Sequence, residues 1–309
     1  FESFVTSLYG GVYNISCRDS SDGSISLSVD VTDRDNRLYN YSWNGPAEAS
    51  LNPDPATTIQ NNLPNGNYTI QITDNFGCFK DTSVTLSEPD SILANPSISD
   101  YNNYNIACYD GANGWIALNT TGGLGPYQYN WQTDPPSGDP IPGFNQDSVY
   151  GLPIGSYEVT ITDALNCIRN WNYSLDQPLP IQTSESVSEY NGYNISCAGG
   201  ENGEVFALNP SGGVGGYTYL WHRSGDPLWI NTSETPSGLP ADIYRVEVKD
   251  LNNCQFIDTI IFNEPDPLVI DSFMSLEISC NATNDGWAQV FVSGGIEHLP
   301  YIYLWNDPI

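Results

Sequence analysis

The sequence contains very few positively charged residues. Its 309 residues include 8 Lys and Arg against 37 Asp and Glu, which gives a formal net charge of −29. A surface of this sign repels phosphate backbones and anionic lipid headgroups, so no nucleic-acid partner is expected. The charge favours high solubility and keeps neighbouring chains apart, and cation binding is the alternative explanation.

Long apolar runs and catalytic side chains are also scarce. No run approaches the ~18–20 apolar residues that a membrane helix needs, so no membrane insertion is expected. The two histidines, His222 and His298, stand at positions that do not recur along the chain. The carboxylates form no acid/base pair that their spacing would reveal. The sequence is therefore predicted not to be an enzyme, and calcium is the one cofactor considered.

What the sequence does contain is a repeat of about ninety residues. Each copy has a Tyr-Asn-Ile-x-Cys run or a close variant, then a Tyr-x-Tyr-x-Trp run, and the complete copies continue to a Leu-Pro pair, a tyrosine and a second cysteine. The predicted domains are repeat 1 (1–89), repeat 2 (90–178), repeat 3 (179–265) and an incomplete repeat 4 (266–309). With no initiator Met and a stop in mid-repeat, the chain is expected to be a slice of a longer protein whose signal and anchor lie outside it.

The local patterning predicts an all-β fold. Segments such as 24–29 and 68–73 alternate polar and apolar residues, and turn residues follow about every ten positions. Tandem immunoglobulin-like β-sandwiches of about seven strands each are therefore predicted. The tyrosine after Leu-Pro is a candidate tyrosine corner in each complete repeat: Tyr68, Tyr157 and Tyr244. The last residue of Tyr-x-Tyr-x-Trp is a candidate core aromatic, with a sugar-stacking platform as the alternative: Trp43, Trp131, Trp221 and Trp305.

Seven cysteines at regular positions indicate an oxidising, extracellular compartment. Pairing within each repeat is predicted: Cys17–Cys78, Cys108–Cys167 and Cys197–Cys254. The first cysteine precedes the second strand and the second follows the sixth, and these places can lie at opposite ends of a sandwich. A bridge between neighbouring repeats therefore remains the alternative.

Asp and Asn residues gather after the first cysteine and before the second. Calcium takes six to eight oxygen ligands, and extracellular modules bind it weakly, so acidic loops of this kind could hold it. The alternative is turn chemistry, in which Asp accepts hydrogen bonds from its own backbone. The candidate calcium ligands are Asp22, Asp74, Asp110, Asp163 and Asp250.

These motifs together resemble the SprB-type repeat of very large surface adhesins in gliding bacteria. The resemblance covers the whole chain and is strongest from Gly122 to Cys167, whereas residues 30–37 of repeat 1 replace the Gly-Gly-x-Gly-Pro turn. It implies an immunoglobulin-like fold, export by the type IX route, a bacterial cell-surface location, and a role in adhesion or gliding. It also makes Asp-Ser/Thr followed by an aliphatic residue a candidate O-glycan site: Ser91, Ser148 and Thr259.

The expected function is that of a stalk segment, which bears load and holds a distal binding region away from the cell. Its expected partners are neighbouring repeats, the type IX export and gliding machinery, and a surface polysaccharide or other extracellular ligand. A carbohydrate-binding array, with Trp115 or Trp287 as contacts, is one alternative. A spacer beside the catalytic domain of a large secreted enzyme is another.

Overall fold

The computed structural model describes residues 2–29, 39–46, 58–134, 141, 143–280, 285–296 and 300–306. Every regular element in these ranges is a β-strand. Two compact units are present, one made of Phe1–Asp100, Tyr104–Ile106 and Gly111–Asp176, the other of Tyr101–Asn103, Ala107–Asp110 and Gln177–Ile309. No helix in the part of the chain that the structure describes is long and apolar enough to cross a membrane.

Repeat 1 folds as two facing three-stranded antiparallel sheets. Its strands are β1 (Glu2–Thr6), β2 (Gly23–Val29), β3 (Tyr39–Asn44), β4 (Ile59–Leu63), β5 (Gly66–Asp74) and β6 (Phe79–Leu86). One sheet has the order β1-β2-β4 and the other β3-β5-β6. The predicted alternation is real, because every second residue of β5 from Tyr68 to Ile72 is buried.

Repeats 2 and 3 reuse this plan. The strands of repeat 2 are β7 (Pro96–Ile98), β8 (Gly114–Leu118), β9 (Gln128–Thr133), β10 (Ser148–Leu152), β11 (Gly155–Thr162) and β12 (Ile168–Leu175). Those of repeat 3 are β13 (Ser186–Val187), β14 (Gly203–Ala207), β15 (Thr218–Arg223), β16 (Asp226–Asn231), β17 (Ser237–Leu239), β18 (Asp242–Lys249) and β19 (Gln255–Phe262). Their sheet orders are β10-β8-β7 and β12-β11-β9, then β13-β14-β17 and β16-β15-β18-β19.

Each of these three repeats encloses its own apolar core between two sheets. The buried core residues fall within 15–86, 92–175 and 181–262, in line with one sandwich per complete repeat. The described strands number six, six and seven, and repeat 3 gains β16 at the edge of its second sheet. The fold is all-β, with tandem immunoglobulin-like β-sandwiches, as predicted.

Repeat 4 differs from the others. Among its described residues it forms one two-stranded sheet from β20 (Asp266–Leu276) and β21 (Trp287–Gly295). No second sheet covers it within the described part of repeat 4, and many of its apolar side chains are exposed. Trp305 is 57% exposed, so its assignment as a core aromatic is wrong in this structure.

Candidate functional site: the junction between repeats

The disulfides join consecutive repeats. Cys17 of repeat 1 bonds Cys167 of repeat 2, with their Cα atoms 5.6 Å apart. Cys108 of repeat 2 bonds Cys254 of repeat 3, with a Cα separation of 5.5 Å. The predicted pairing within repeats is therefore wrong, and the alternative between neighbours is the one observed. The two remaining cysteines of the complete repeats, Cys78 and Cys197, are unbonded and exposed.

Strand geometry explains why a repeat does not close on itself. Gly23 pairs with Leu63, so the loop that carries Cys17 lies at the end where β5 begins at Gly66. Cys78 follows the far end of this nine-residue strand. A strand of this length spans about 30 Å at ~3.3 Å per residue. A disulfide holds its two Cα atoms within about 7 Å, so the two cysteines of one repeat cannot meet.

The first cysteine of each complete repeat lies beside the end of that same repeat, and we call this the tail side of the junction. The side chain before the boundary proline accepts a hydrogen bond from the backbone two residues after the cysteine. In repeat 1, Asp19 N–H donates to Glu88 Oε2 at 2.9 Å. The same bond runs from Asp110 N–H to Gln177 Oε1 at 3.0 Å and from Gly199 N–H to Glu264 Oε2 at 2.7 Å. These three bonds hold the cysteine loop in one position.

Glu88 makes a second contact on the tail side of repeat 1. The Nε of Arg18 lies 3.1 Å from Glu88 Oε1, and the Glu88 side chain is only 4% exposed. Its carboxylate thus has a cation on one oxygen and a backbone donor on the other. A nearly buried carboxylate needs partners of this kind, because leaving it unpaired costs several kcal/mol.

The second cysteine of each complete repeat lies where that repeat begins, and we call this the head side. In repeat 2, Asp163 Oδ1 accepts hydrogen bonds from the N–H groups of Leu165 (2.8 Å) and Cys167 (2.9 Å). Its Oδ2 accepts from Leu124 N–H at 2.9 Å, in the Gly-Gly turn. Asp163 is 4% exposed. One buried carboxylate therefore ties the cysteine turn to the Gly-Gly turn.

Repeat 3 builds its head side in the same way. Asp250 Oδ1 accepts from Asn252 and Cys254, both at 2.9 Å, and Oδ2 accepts from Val214 at 3.0 Å. The adjoining Gly212 has φ +80° and no room for a Cβ, which would stand 2.0 Å from the Pro180 carbonyl oxygen. The segment around Pro180, which precedes the first strand of repeat 3, is thereby packed against the Gly-Gly turn and the cysteine turn.

The candidate calcium ligands lie in these loops and turns. Among the described residues, no group of three or more His, Cys, Asp or Glu side chains could hold a metal ion. Asp163 and Asp250 have their oxygens directed at backbone N–H groups, and Asp74 Oδ1 accepts from Phe76 and Cys78 at 2.9 Å. Asp22 Oδ1 accepts from Ser16 N–H at 3.1 Å. Asp110 has φ +54° and forms the cysteine loop. Four of the five candidates thus accept backbone hydrogen bonds, as the turn interpretation expects, and calcium binding at these residues stays a prediction.

The three tyrosines after Leu-Pro bond back across the corner. The hydroxyl of Tyr68 donates to Pro64 O at 2.9 Å, that of Tyr157 to Pro153 O at 2.8 Å, and that of Tyr244 to Pro240 O at 3.0 Å. These are the bonds that a tyrosine corner requires. Burial raises the pKa of all three phenols, and that of Tyr244 rises to about 12.

Alkaline pH should therefore destabilise the sandwiches. The phenol of an unfolded chain has a pKa near 10, so as the pH rises the unfolded state loses this proton before the folded state does. The contribution of neutral Tyr244 is complete below pH 10 and falls as the pH rises from 10 towards 12. Urea unfolding of thiol-alkylated protein from pH 8 to 11 would measure the decline. Tyr244→Phe should reduce the decline and the exposed Tyr150→Phe should not, and an equal decline in both variants would contradict the assignment.

The tryptophans of Tyr-x-Tyr-x-Trp occupy the cores of repeats 2 and 3. Trp131 is 3% exposed and Trp221 is fully buried, and Trp43 is half-buried against the core of repeat 1. The indole N–H of Trp131 donates to Gln146 O at 2.9 Å and that of Trp221 to Ser233 O at 2.8 Å. Buried rings of this kind cannot stack on a sugar. Trp131, Trp221 and Trp43 therefore fit the core interpretation.

The remaining predicted contacts are dispersed. Trp115 is half-buried on β8 with its ring 6.4 Å from that of Tyr150, and Trp287 is 49% exposed on β21. Of the candidate O-glycan residues, Thr259 is exposed on edge strand β19, whereas Ser91 and Ser148 are half-buried. O-glycosylation at these three residues stays a prediction. His298 and residues 30–37 lie outside the described residues.

The disulfide connectivity was the feature that sequence reasoning missed. Its signal is present in the sequence as the Glu/Gln-Pro at the repeat boundary and the Asp four residues before the second cysteine. Both features recur in every complete repeat. The Glu or Gln side chain holds the loop of the first cysteine on the tail side, and the Asp holds the turn of the second cysteine on the head side.

Comparison with known proteins identifies the repeat. The SprB repeat profile matches residues 102–135, 193–225 and 276–308, which lie in repeats 2, 3 and 4. No curated protein sequence matches the chain.

Several solved structures resemble it weakly. Three N-terminal domains of the highly immunogenic outer capsid protein of bacteriophage RB49 align at 12% identity and TM-score 0.39, over 83% of this chain and 97% of that one. The N-terminal immunoglobulin domains of the Down syndrome cell adhesion molecule align at 12% identity and TM-score 0.32, over 73% of this chain and 34% of that one. Extracellular domains 3–5 of Drosophila OTK align at 10% identity and TM-score 0.29, over 77% of this chain and 89% of that one. Identities this low say nothing about function.

The profile matches confirm the resemblance drawn from the motifs. They fall on the cysteine loop, the Gly-Gly turn and the aromatic strand, which are the segments that build the junction and the core. Three segments of the chain therefore carry the SprB repeat, which marks it as a cell-surface adhesin-type repeat region.

Proposed function

We propose that this chain is a load-bearing stalk segment of a secreted bacterial surface adhesin. The observation that carries the proposal is the pair of disulfides that join each complete repeat to the next. A bond inside one repeat would brace that repeat alone. A bond from one repeat to its neighbour adds a second covalent connection between the two, so that load can pass from one to the next without following the backbone between them.

The two bonds also overlap along the chain. The segment closed by Cys17–Cys167 includes Cys108, and the segment closed by Cys108–Cys254 includes Cys167. Tension applied to the ends therefore passes through both bonds and bypasses most of the strands. This arrangement suits a tether that must not lengthen greatly when a repeat unfolds.

The extracellular location in the proposal is supported by chemistry. Structural disulfides persist in oxidising compartments and are rare in the cytosol. A net charge of −29 prevents crowded neighbouring chains from associating. Type IX export, a role in gliding and a distal region that binds polysaccharide or another ligand belong to the proposal through the SprB repeat.

Two measurements test it. Protease treatment of intact producing cells should release peptides of this chain, because the segment is displayed outside. The purified chain on a glycan array should give no signal, since the stalk places binding elsewhere. If protease treatment of intact cells released no peptide of this chain, the proposed extracellular location would be contradicted. A glycan signal that falls in Trp115→Ala or Trp287→Ala, with Trp131→Phe as a core control, would favour the carbohydrate-binding array instead.

A further inference from the structure

We infer that Cys78 and Cys197 each bond a cysteine of another SprB repeat. These bonds would continue the series of disulfides between consecutive repeats. Cys78 would take the first cysteine of a preceding repeat. Cys197 would take the second cysteine of repeat 4, which the repeat spacing places after residue 309. This deepens the proposed stalk function and rests on the repeat architecture.

The observed bonds obey one rule. The first cysteine of a repeat bonds the second cysteine of the repeat that follows, in both cases where the structure holds both partners. Cys78 is a second cysteine and Cys197 is a first one. Under this rule neither has its partner within residues 1–309, and both are unbonded and exposed.

The surroundings of Cys197 match those of its bonded counterparts. Gly199 N–H donates to Glu264 as Asp19 N–H does to Glu88. Ser196 N–H donates to Asn202 Oδ1 at 3.2 Å, the counterpart of the bond from Ser16 to Asp22. The tail side is thus complete without its disulfide.

Repeat 4 already presents part of a head side to Cys197. A cavity beside Cys197 is lined by Pro265, Pro267, Leu268 and Gly295. Beside the bonded Cys108, the equivalent positions are Pro178, Pro180, Ile181 and Gly213. Cys254, its disulfide partner, lines the same cavity. Gly294 approaches the Pro267 carbonyl as Gly212 approaches that of Pro180, a Cβ being 2.0 Å from the oxygen in each case. The part still to be supplied is the Asp-x-x-x-Cys turn.

The turn that carries Cys78 is equally complete. Asp74 N–H donates to Cys78 O at 2.9 Å, as Asp163 does to Cys167 at 3.1 Å. Within this turn, Phe76 is 77% exposed. Its counterparts contact the preceding repeat: Leu165 lies against Gly10, and Asn252 Nδ2 donates to Ala107 O at 3.0 Å. An exposed aromatic at this position favours a protein partner of the same kind.

Bond formation needs an oxidant. Two thiols lose two protons and two electrons, and a small-molecule or enzyme disulfide accepts both and leaves as a dithiol or as two thiols. The exposure of Cys78 and Cys197 makes this exchange sterically possible.

The test is non-reducing peptide mapping of the protein isolated from its producing cells after alkylation of free thiols. The Cys78 peptide should be linked to an Ile-Ser/Ala-Cys-type peptide and the Cys197 peptide to one that carries Asp-x-x-x-Cys. An alkylated Cys78 or Cys197, a link to glutathione, or a bond between two cysteines of the same class would overturn the inference.

A variant identifies the partner directly. Cys78→Ser should expose one new alkylatable thiol per chain, in the loop of a different repeat, just as the control Cys17→Ser should expose Cys167. No new thiol in Cys78→Ser, with Cys167 released in the control, would refute the inference. That outcome would leave the bonds at Cys17 and Cys108, and hence the proposed stalk, intact.

Discussion

Pulled from its two ends with its disulfides intact, the chain should extend to no more than about 130 residues of unfolded contour, roughly 450 Å at ~3.4 Å per residue. The reduced chain should reach roughly 1,050 Å, the contour of all its residues. The shortest covalent path runs along 1–17, crosses to Cys167, returns to Cys108, crosses to Cys254 and continues to 309. Force spectroscopy of thiol-alkylated protein with and without prior reduction measures both lengths.

Single variants separate this connectivity from closure within each repeat. Within-repeat bonds would give nearly the same total contour, so the length of the intact chain alone does not decide. With the observed bonds, Cys17→Ser or Cys108→Ser should lengthen the path to about 160 residues, and the double variant should release the whole chain. Cys197→Ser should change nothing. An increase in Cys197→Ser would contradict the connectivity.

Most of the fold could be predicted from the sequence because its determinants are local. The period-two alternation of β5 and β11 specifies which face is buried, and a Leu-Pro corner places Tyr68 or Tyr157 at the start of the next strand. The hydroxyl then finds the carbonyl four residues upstream. No contact beyond the repeat is needed for either result.

The disulfide pairing could not be predicted from periodicity. Offsets between cysteines are nearly constant within a repeat and also between neighbours, where the separations are 150 and 146 residues. A repeat pattern therefore fits both pairings equally well. The deciding quantity is the length of β5, which holds Cys17 and Cys78 at opposite ends of the sandwich. Strand length is a property of the folded repeat, so the ambiguity disappears only there.

The acidic residues were ambiguous for a different reason. A chain with 37 carboxylates offers many coincidental clusters, so proximity in sequence says little about calcium. The informative feature is the fixed offset of four residues between Asp163 and Cys167, because a carboxylate at that distance accepts from the N–H groups of its own turn. The same offset at Asp74 and Asp250 has the same physical cause.

Replacing Asp163 should be among the most damaging single changes in the chain. In Asp163→Ala three backbone N–H groups lose a charged acceptor, one each at Leu124, Leu165 and Cys167. A fully buried donor left without a partner costs about 1–3 kcal/mol, and these three N–H groups belong to half-buried residues, so we expect a loss of about 3 kcal/mol in the free energy of unfolding of repeat 2. Urea unfolding, followed through the fluorescence of the buried Trp131, would measure it.

Asp74→Ala is the matched control, because it removes the same residue from the same turn of repeat 1. Its carboxylate is only half-buried, and the N–H groups of Phe76 and Cys78 are open to water. Water replaces the lost acceptor there, so the expected cost is about 1 kcal/mol. The Asp163 variant should also form the Cys17–Cys167 bond less completely, because the turn that presents Cys167 is released. Equal and small losses in both variants would mean that burial of the carboxylate does not stabilise the head side, and that the turn holds its shape without it.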